Sequence, residues 1–203
     1  NQNGKLVVGG CQLSELAKKY GTPLYVIDEL SLRKACSSYL YALKTHYPGK
    51  SLPLYASKAN SSLAICALVS SEGFGLDAVS EGELLTALKA GIKGDKIVFH
   101  GNNKSDKEIE FAIKNKIKVI VDNYHDLKRL EEISDSFDYD IEIMIRFTPG
   151  IECHTHEYIR TGSFDSKFGF GIESLRKLFE VISKTKHIKL IGLHAHIGSQ
   201  IFE

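Results

Sequence analysis

From residue 52 onward the chain alternates between two rhythms. "LPLYAS", "FGLDAVS", "KIVFHG", "VIVDN", "IEIMIRFTP" and "LIGLHAHIG" are short apolar runs, several rich in Val and Ile, the pattern of strands buried on both faces. Between them, "SLAICALVSSE", "SEGELLTALKAG", "DKEIEFAIKNK", "YHDLKRLEEIS" and "ESLRKLFEVISKT" repeat their apolar positions at helical spacing. Ser80 followed by Glu83 reads as a capping box, and Gly91 stands where a helix stop is wanted. Six such strand-helix units in a row predict a parallel α/β sheet. The first fifty residues differ: "KLVVGG" predicts a short strand, "LSELAKKYG" a helix closed by Gly21, "TPLYVID" a second strand and "ELSLRKACSSYLYALKTH" a long amphipathic helix.

Alternation alone fits both an open doubly wound sheet and a closed (β/α)8 barrel. The polar residues at the strand ends help to choose between them. Each apolar run delivers something polar: Lys58, Asp77, His100 with Asn102, Asp122, Arg146, then His194, His196 and Ser199. In a barrel these ends converge on one mouth, whereas an open sheet spreads them along an edge. A barrel is therefore expected, and six units short of eight mark the chain as the front portion of a longer protein. No internal repeat beyond the strand-helix unit and no low-complexity linker is visible.

Composition narrows the partners. At 203 residues and 43% hydrophobic, the chain is long enough to bury a core. Its 26 Lys and Arg nearly balance 25 Asp and Glu without a dense basic run, which argues against nucleic acid or an anionic membrane surface and for a small-molecule partner. Apolar stretches are strand-sized, and "NQNGKLVVGG" lacks the regions of a signal peptide, so a cytoplasmic enzyme is expected. Cys11, Cys36, Cys66 and Cys153 show no CxxC spacing and are read as reduced thiols.

Lys58 is the first candidate for chemistry. It follows a buried strand and precedes "NSS", so it should face the barrel mouth, where a desolvated ammonium is disfavoured and the amine becomes a nucleophile for Schiff-base formation. That chemistry needs a carbonyl, which pyridoxal phosphate supplies. The bland alternative is a lysine that snorkels into solvent. "HAHIGSQ", residues 194–200, reads in two ways. The alternating His194 and His196 share a strand face, as metal ligands would, whereas Gly198 and Ser199 suit a phosphate cradle with a histidine ring lying on an aromatic cofactor. Asp77 is either a site carboxylate or a loop and cap residue. Arg146, at the end of a buried strand, wants an anion or a π system to hold. "HTHEYIRTGSFDSKFGFG", residues 154–171, reads as a long loop over the site.

Taken together, "YASKAN", "GLDAVSEGEL", "FHGNNKS", "IRFTPG", "TGSFDSKFGF" and "LHAHIGSQ" resemble, in order and rough spacing, the pyridoxal-phosphate-dependent decarboxylases with the alanine-racemase-like barrel. The likeness runs from "LAKKYGTPLYVID" to the last residue. "HTHEYIRTG" with "SKFGF" looks more like the diaminopimelate branch than the ornithine or arginine branch. The resemblance implies pyridoxal 5′-phosphate as cofactor, with Lys58 in covalent linkage to it, His196 stacked on its ring, Ser199 on its phosphate, and Asp77 and Arg146 in its pocket. Lys167, in "SKFG", falls in a further site segment. It also implies decarboxylation of meso-2,6-diaminopimelate to L-lysine and a homodimer with a shared active site. Residues 1–21 then contribute to a β domain and residues 22–203 form a partial barrel. The remaining cofactor-binding and substrate-gripping residues of the family would lie beyond Glu203, so the 203-residue piece alone is expected to be inactive. The rivals are an ornithine, arginine or carboxynorspermidine decarboxylase of the same fold, a non-catalytic binding or regulatory relative, and a metal-dependent barrel hydrolase.

Overall fold

The apolar runs become strands because their side chains can be covered on both sides. In β4 (Gly75–Ala78), β5 (Ile97–Phe99) and β6 (Lys118–Val121), Leu76, Ala78, Ile97, Val98, Phe99, Val119, Ile120 and Val121 are all buried. The computed structural model describes residues 4–150 and 168–198. Across them β3 (Leu54–Ala56), β4, β5, β6, β7 (Ile141–Thr148) and β9 (Ile188–His194) lie side by side in chain order, every pair parallel. A short β8 (Phe170–Gly171) adds to the C-terminal end of β7. A doubly wound sheet reverses its order at a switch point, and this one does not, so it is the wall of a barrel. The described strands form an open arc of that wall rather than a closed ring.

The arc is strongly curled. The His100 ring, directly after β5, stacks on that of His194 at the end of β9 with centroids 6.0 Å apart, although β6 and β7 lie between their strands. At about 4.8 Å per strand a flat sheet would hold them roughly 14 Å apart. Curvature therefore turns the C-terminal strand ends towards a common mouth.

Five helices cover the arc: α3 (Leu63–Ser71), α4 (Glu81–Lys89), α5 (Asp106–Lys114), α6 (Tyr124–Ser134) and α7 (Leu175–Ile182). Each places a stripe on the strands, such as Leu84 and Ala87 of α4, Ile109, Ala112 and Ile113 of α5, and Leu178 and Ile182 of α7. Ser80 accepts from the Glu83 amide, but Glu83 returns to the Val79 amide rather than to Ser80. The reciprocal capping box is built one unit later by Ser105 and Glu108. Gly91, at φ +86°, ends its helix as expected.

Three expectations need correction. "TPLYVID" forms no strand: residues 22–28 run without a sheet partner, with Tyr25 97% exposed and Leu24, Val26 and Ile27 also exposed, because nothing among the described residues offers them an edge. β9 is not buried on both faces; Lys189, Ile191 and Leu193 are exposed, since it borders the arc. The segment 154–171, read as a loop, ends in β8; its residues up to 167 lie outside the described residues. At the N-terminus, β1 (Val7–Val8) pairs antiparallel with β2 (Cys11–Gln12) in a separate small sheet, followed by α1 (Leu13–Tyr20) and α2 (Glu29–His46). Cys11, Cys36 and Cys66 are free thiols, and Cys153 lies outside the described residues. No helix among the described residues is long and apolar enough to cross a membrane.

Candidate active site

β3 ends in "YAS", and the chain turns through a short 3₁₀ segment, Ser57–Ala59. Ser57 is buried and donates to the Asp77 carbonyl at 2.8 Å, tying this turn to the end of β4. Lys58 therefore leaves the sheet at the mouth, as the sequence predicts. It is exposed rather than desolvated, because it sits on the edge strand of the arc, where no described neighbour covers it.

Asp77, at the end of β4, lies with its Oδ1 2.9 Å from His100 Nε2. His100 in turn stacks on His194, at an interplanar angle of 28°. His194 ends β9 and His196 follows two residues later, and both feel the charges of Arg146, His100 and Asp77. The His194 imidazole is pushed down to about 4 by burial, then by the Arg146 and His100 charges, with Asp77 opposing. Its buried Nδ1 has no hydrogen-bond partner. The His196 imidazole is lowered by burial, then by Arg146, Lys58 and His100. Both rings are thus held neutral beside two cations.

Arg146 is buried in β7. Its guanidinium lies 4.4 Å from the Phe168 ring centroid, the π system that the sequence argument asked for. Its Nε stands 3.8 Å from Asp122 Oδ1. Burial pushes the Asp122 carboxyl up, against the Gly169 backbone and the Arg146 and Lys104 charges.

The curled sheet therefore brings together four of the five expected residues. Lys58 of the first strand's turn and His196 after the last lie within electrostatic range, and Asp77 and Arg146 act on the same histidines. The fifth, Ser199, lies outside the described residues, as does Lys167. Three participants were not picked out beforehand as site residues: His100, Phe168 and Asp122. His100 and Asp122 carry a signal, since both end strands; Phe168 is recognisable only from its contact with Arg146. Among the described residues no group of three or more His, Cys, Asp or Glu is arranged to hold a metal ion.

These residues suit a flat, anionic ligand with an electrophilic carbon. Lys58 and Arg146 supply positive charge, two neutral imidazoles supply flat faces, Lys58 supplies an amine, and His194 Nδ1 is a buried polar atom without a partner. Comparison with known proteins points the same way. Residues 31–203 match the family described as pyridoxal-dependent decarboxylase, pyridoxal binding domain. The chain is 47% identical over 212 residues to diaminopimelate decarboxylase of Synechocystis, covering 100% of this chain and 45% of the relative. It is 44% identical to that of Bacillus subtilis over 206 residues, covering 100% and 47%. Among solved structures, diaminopimelate decarboxylase from M. jannaschii in complex with L-lysine superposes with TM-score 0.90 at 34% identity, covering 98% of this chain and 48% of that one. The chain thus spans a little under half the length of the curated relatives it matches.

Proposed function

The chain belongs to the pyridoxal-dependent decarboxylases, and on that premise we propose that the protein it comes from releases carbon dioxide from meso-2,6-diaminopimelate to give L-lysine. The observation that supports this most directly is the convergence of Lys58 and His196 on one mouth of the curled sheet, in the company of Asp77 and Arg146. The cofactor is pyridoxal 5′-phosphate. When bound, it supplies an aldehyde and a ring that takes up the electron pair left behind as carbon dioxide departs.

The chain's own residues then have distinct tasks. Lys58 Nζ is the nucleophile, and it must shed its proton before it attacks and accept one when it is released. His196, neutral because of its burial and its cationic neighbours, offers an uncharged face to the ring. Asp77, in contact with His100 Nε2, keeps a carboxylate beside these groups, and Arg146 contributes a permanent positive charge. Ser199 is assigned to the phosphate. We assign residues 1–21 to a second, β domain, in keeping with the separation of the β1–β2 sheet from the barrel arc. A cytoplasmic homodimer with a shared active site completes the reading, as the sequence resemblance implies.

The test uses the full-length protein. Loaded with pyridoxal phosphate, it should absorb visible light in a band that borohydride converts to a stable adduct, and Lys58→Ala should abolish that adduct. Carbon dioxide release should be faster from meso-diaminopimelate than from ornithine or arginine. Persistence of the adduct without Lys58, or a preference for ornithine or arginine, would overturn the corresponding half of the assignment.

A further inference from the structure

The sequence "VIVDNYHD" places Asp122 at the end of β6, one residue before the Asn123 cap of α6. Asp122 is 1% exposed. Its backbone is fixed: the Asp122 amide donates to Asp126 Oδ2 at 3.2 Å, and Lys104 Nζ donates to the same oxygen at 2.5 Å and to the Gly101 carbonyl at 2.6 Å. Its side chain is a different matter. The Gly169 backbone faces it, but neither carboxylate oxygen is in hydrogen-bond geometry with a partner, and its ion pair is with Arg146 Nε, at 3.8 Å. A buried carboxylate in that condition is costly unless a charge compensates it.

Arg146 is enclosed from other sides as well. Phe168 lies against the guanidinium. Gly169, at φ +78°, comes so close that a Cβ there would stand 3.0 Å from the Arg146 carbonyl oxygen and 3.2 Å from its Cγ; only glycine suits both the backbone conformation and the space. The Thr148 hydroxyl fastens this strip to β7 by donating to the Phe168 carbonyl at 2.7 Å.

We propose that Asp122 is a positioning residue, which with Phe168 clamps the Arg146 guanidinium in place at the mouth of the barrel. Asp122 reaches the ligand only through Arg146. Its carboxylate sets the guanidinium plane against the Phe168 ring, and its backbone is in turn locked by the Lys104–Asp126 pair. The identity of the ligand rests on the function proposed above; the clamp itself does not.

Two measurements on the full-length protein test it. In the cofactor-free form, the Arg146 Nε–H proton, followed by nitrogen-edited NMR and assigned with Arg146→Lys, should exchange slowly with water. Asp122→Asn should speed that exchange at least roughly tenfold, by loss of the compensating charge, and an unchanged rate overturns the clamp. In the second, Asp122→Asn should weaken pyridoxal phosphate about tenfold, and Asp122→Asn with Arg146→Met should be no weaker than Arg146→Met alone. Additive losses would mean that Asp122 acts elsewhere. Should Asp122→Asn fail to fold, recovery of the fold by adding Arg146→Met supports the pairing, and no recovery overturns it. A wild-type protein that binds no pyridoxal phosphate sinks the proposed function, while the exchange measurement still decides the clamp.

Discussion

Lys104–Asp126 and Arg146–Asp122 are both buried beside the same strand end, yet one is saturated and the other is not. Lys104 Nζ has Asp126 at 2.5 Å and a carbonyl at 2.6 Å, and Asp126 also holds the Asp122 amide. Arg146 stands 3.8 Å from a carboxylate whose oxygens have no hydrogen bond. Close, fully hydrogen-bonded burial can offset the desolvation of two charges, whereas loose burial cannot. The first pair therefore belongs to the framework. The second is held by charge and by the Phe168 ring rather than by close hydrogen bonds, and its Arg146 acts on the histidines of the site.

The sharpest way to break this contrast is to remove one partner from the tight pair. Lys104→Met leaves Asp126 charged and buried and should cost about 3–5 kcal/mol, read as a shift in the urea unfolding midpoint. Adding Asp126→Leu should restore most of that loss; if Lys104→Met alone unfolds no more easily than wild type, the framework role fails.

A smaller effect should come from His194, half-buried and sensitive to the loose pair through Arg146. Its pKa lies near 4 in the folded protein against an ordinary 6.5. As pH falls, the unfolded chain takes up this proton first, so stability should be lost between pH 6.5 and 4 and the loss should level off below that. The difference in melting temperature between wild type and His194→Gln, in the cofactor-free protein, should narrow across that window on acidification. A difference independent of pH would remove His194 from the account. The smallest effect is expected for Asp122→Asn, which replaces a carboxylate without a close hydrogen bond by a near-isosteric amide. Its unfolding free energy should fall by only about 1–2 kcal/mol, because the pair is loose and Arg146 keeps the Phe168 ring, and a loss as large as that of Lys104→Met would erase the distinction between the pairs.

Much of this arrangement was legible in the sequence, because burial on both faces leaves a plain mark. "KIVFHG" and "VIVDN" have little choice but to be interior strands, and each ends in the polar residue it delivers. Lys58, Asp77, Arg146 and the His194–His196 pair stand out on that logic, whereas only the family resemblance singles out His196. What pattern cannot carry is curvature and pairing. Nothing in the residue order says that His100 will meet His194 across two intervening strands, or that Lys104, one of 26 basic residues, will be 3% exposed instead of in solvent. "TPLYVID" misled for the opposite reason. Its composition is that of a strand, but a strand also needs an edge to bind to, and among the described residues it has none.

The sheet's sequential order has a consequence for how the site comes into being. Lys58 follows the first strand of the arc and His196 the last, so nearly the whole described chain must emerge from the ribosome before the two can face each other. Every strand between them is a neighbour-to-neighbour step that can form as synthesis proceeds, but the lysine–histidine encounter spans them all and must come late. The meeting of Lys58 and His196 would then report completion of this arc of the barrel wall, a built-in signal that its strands have been assembled in the right order.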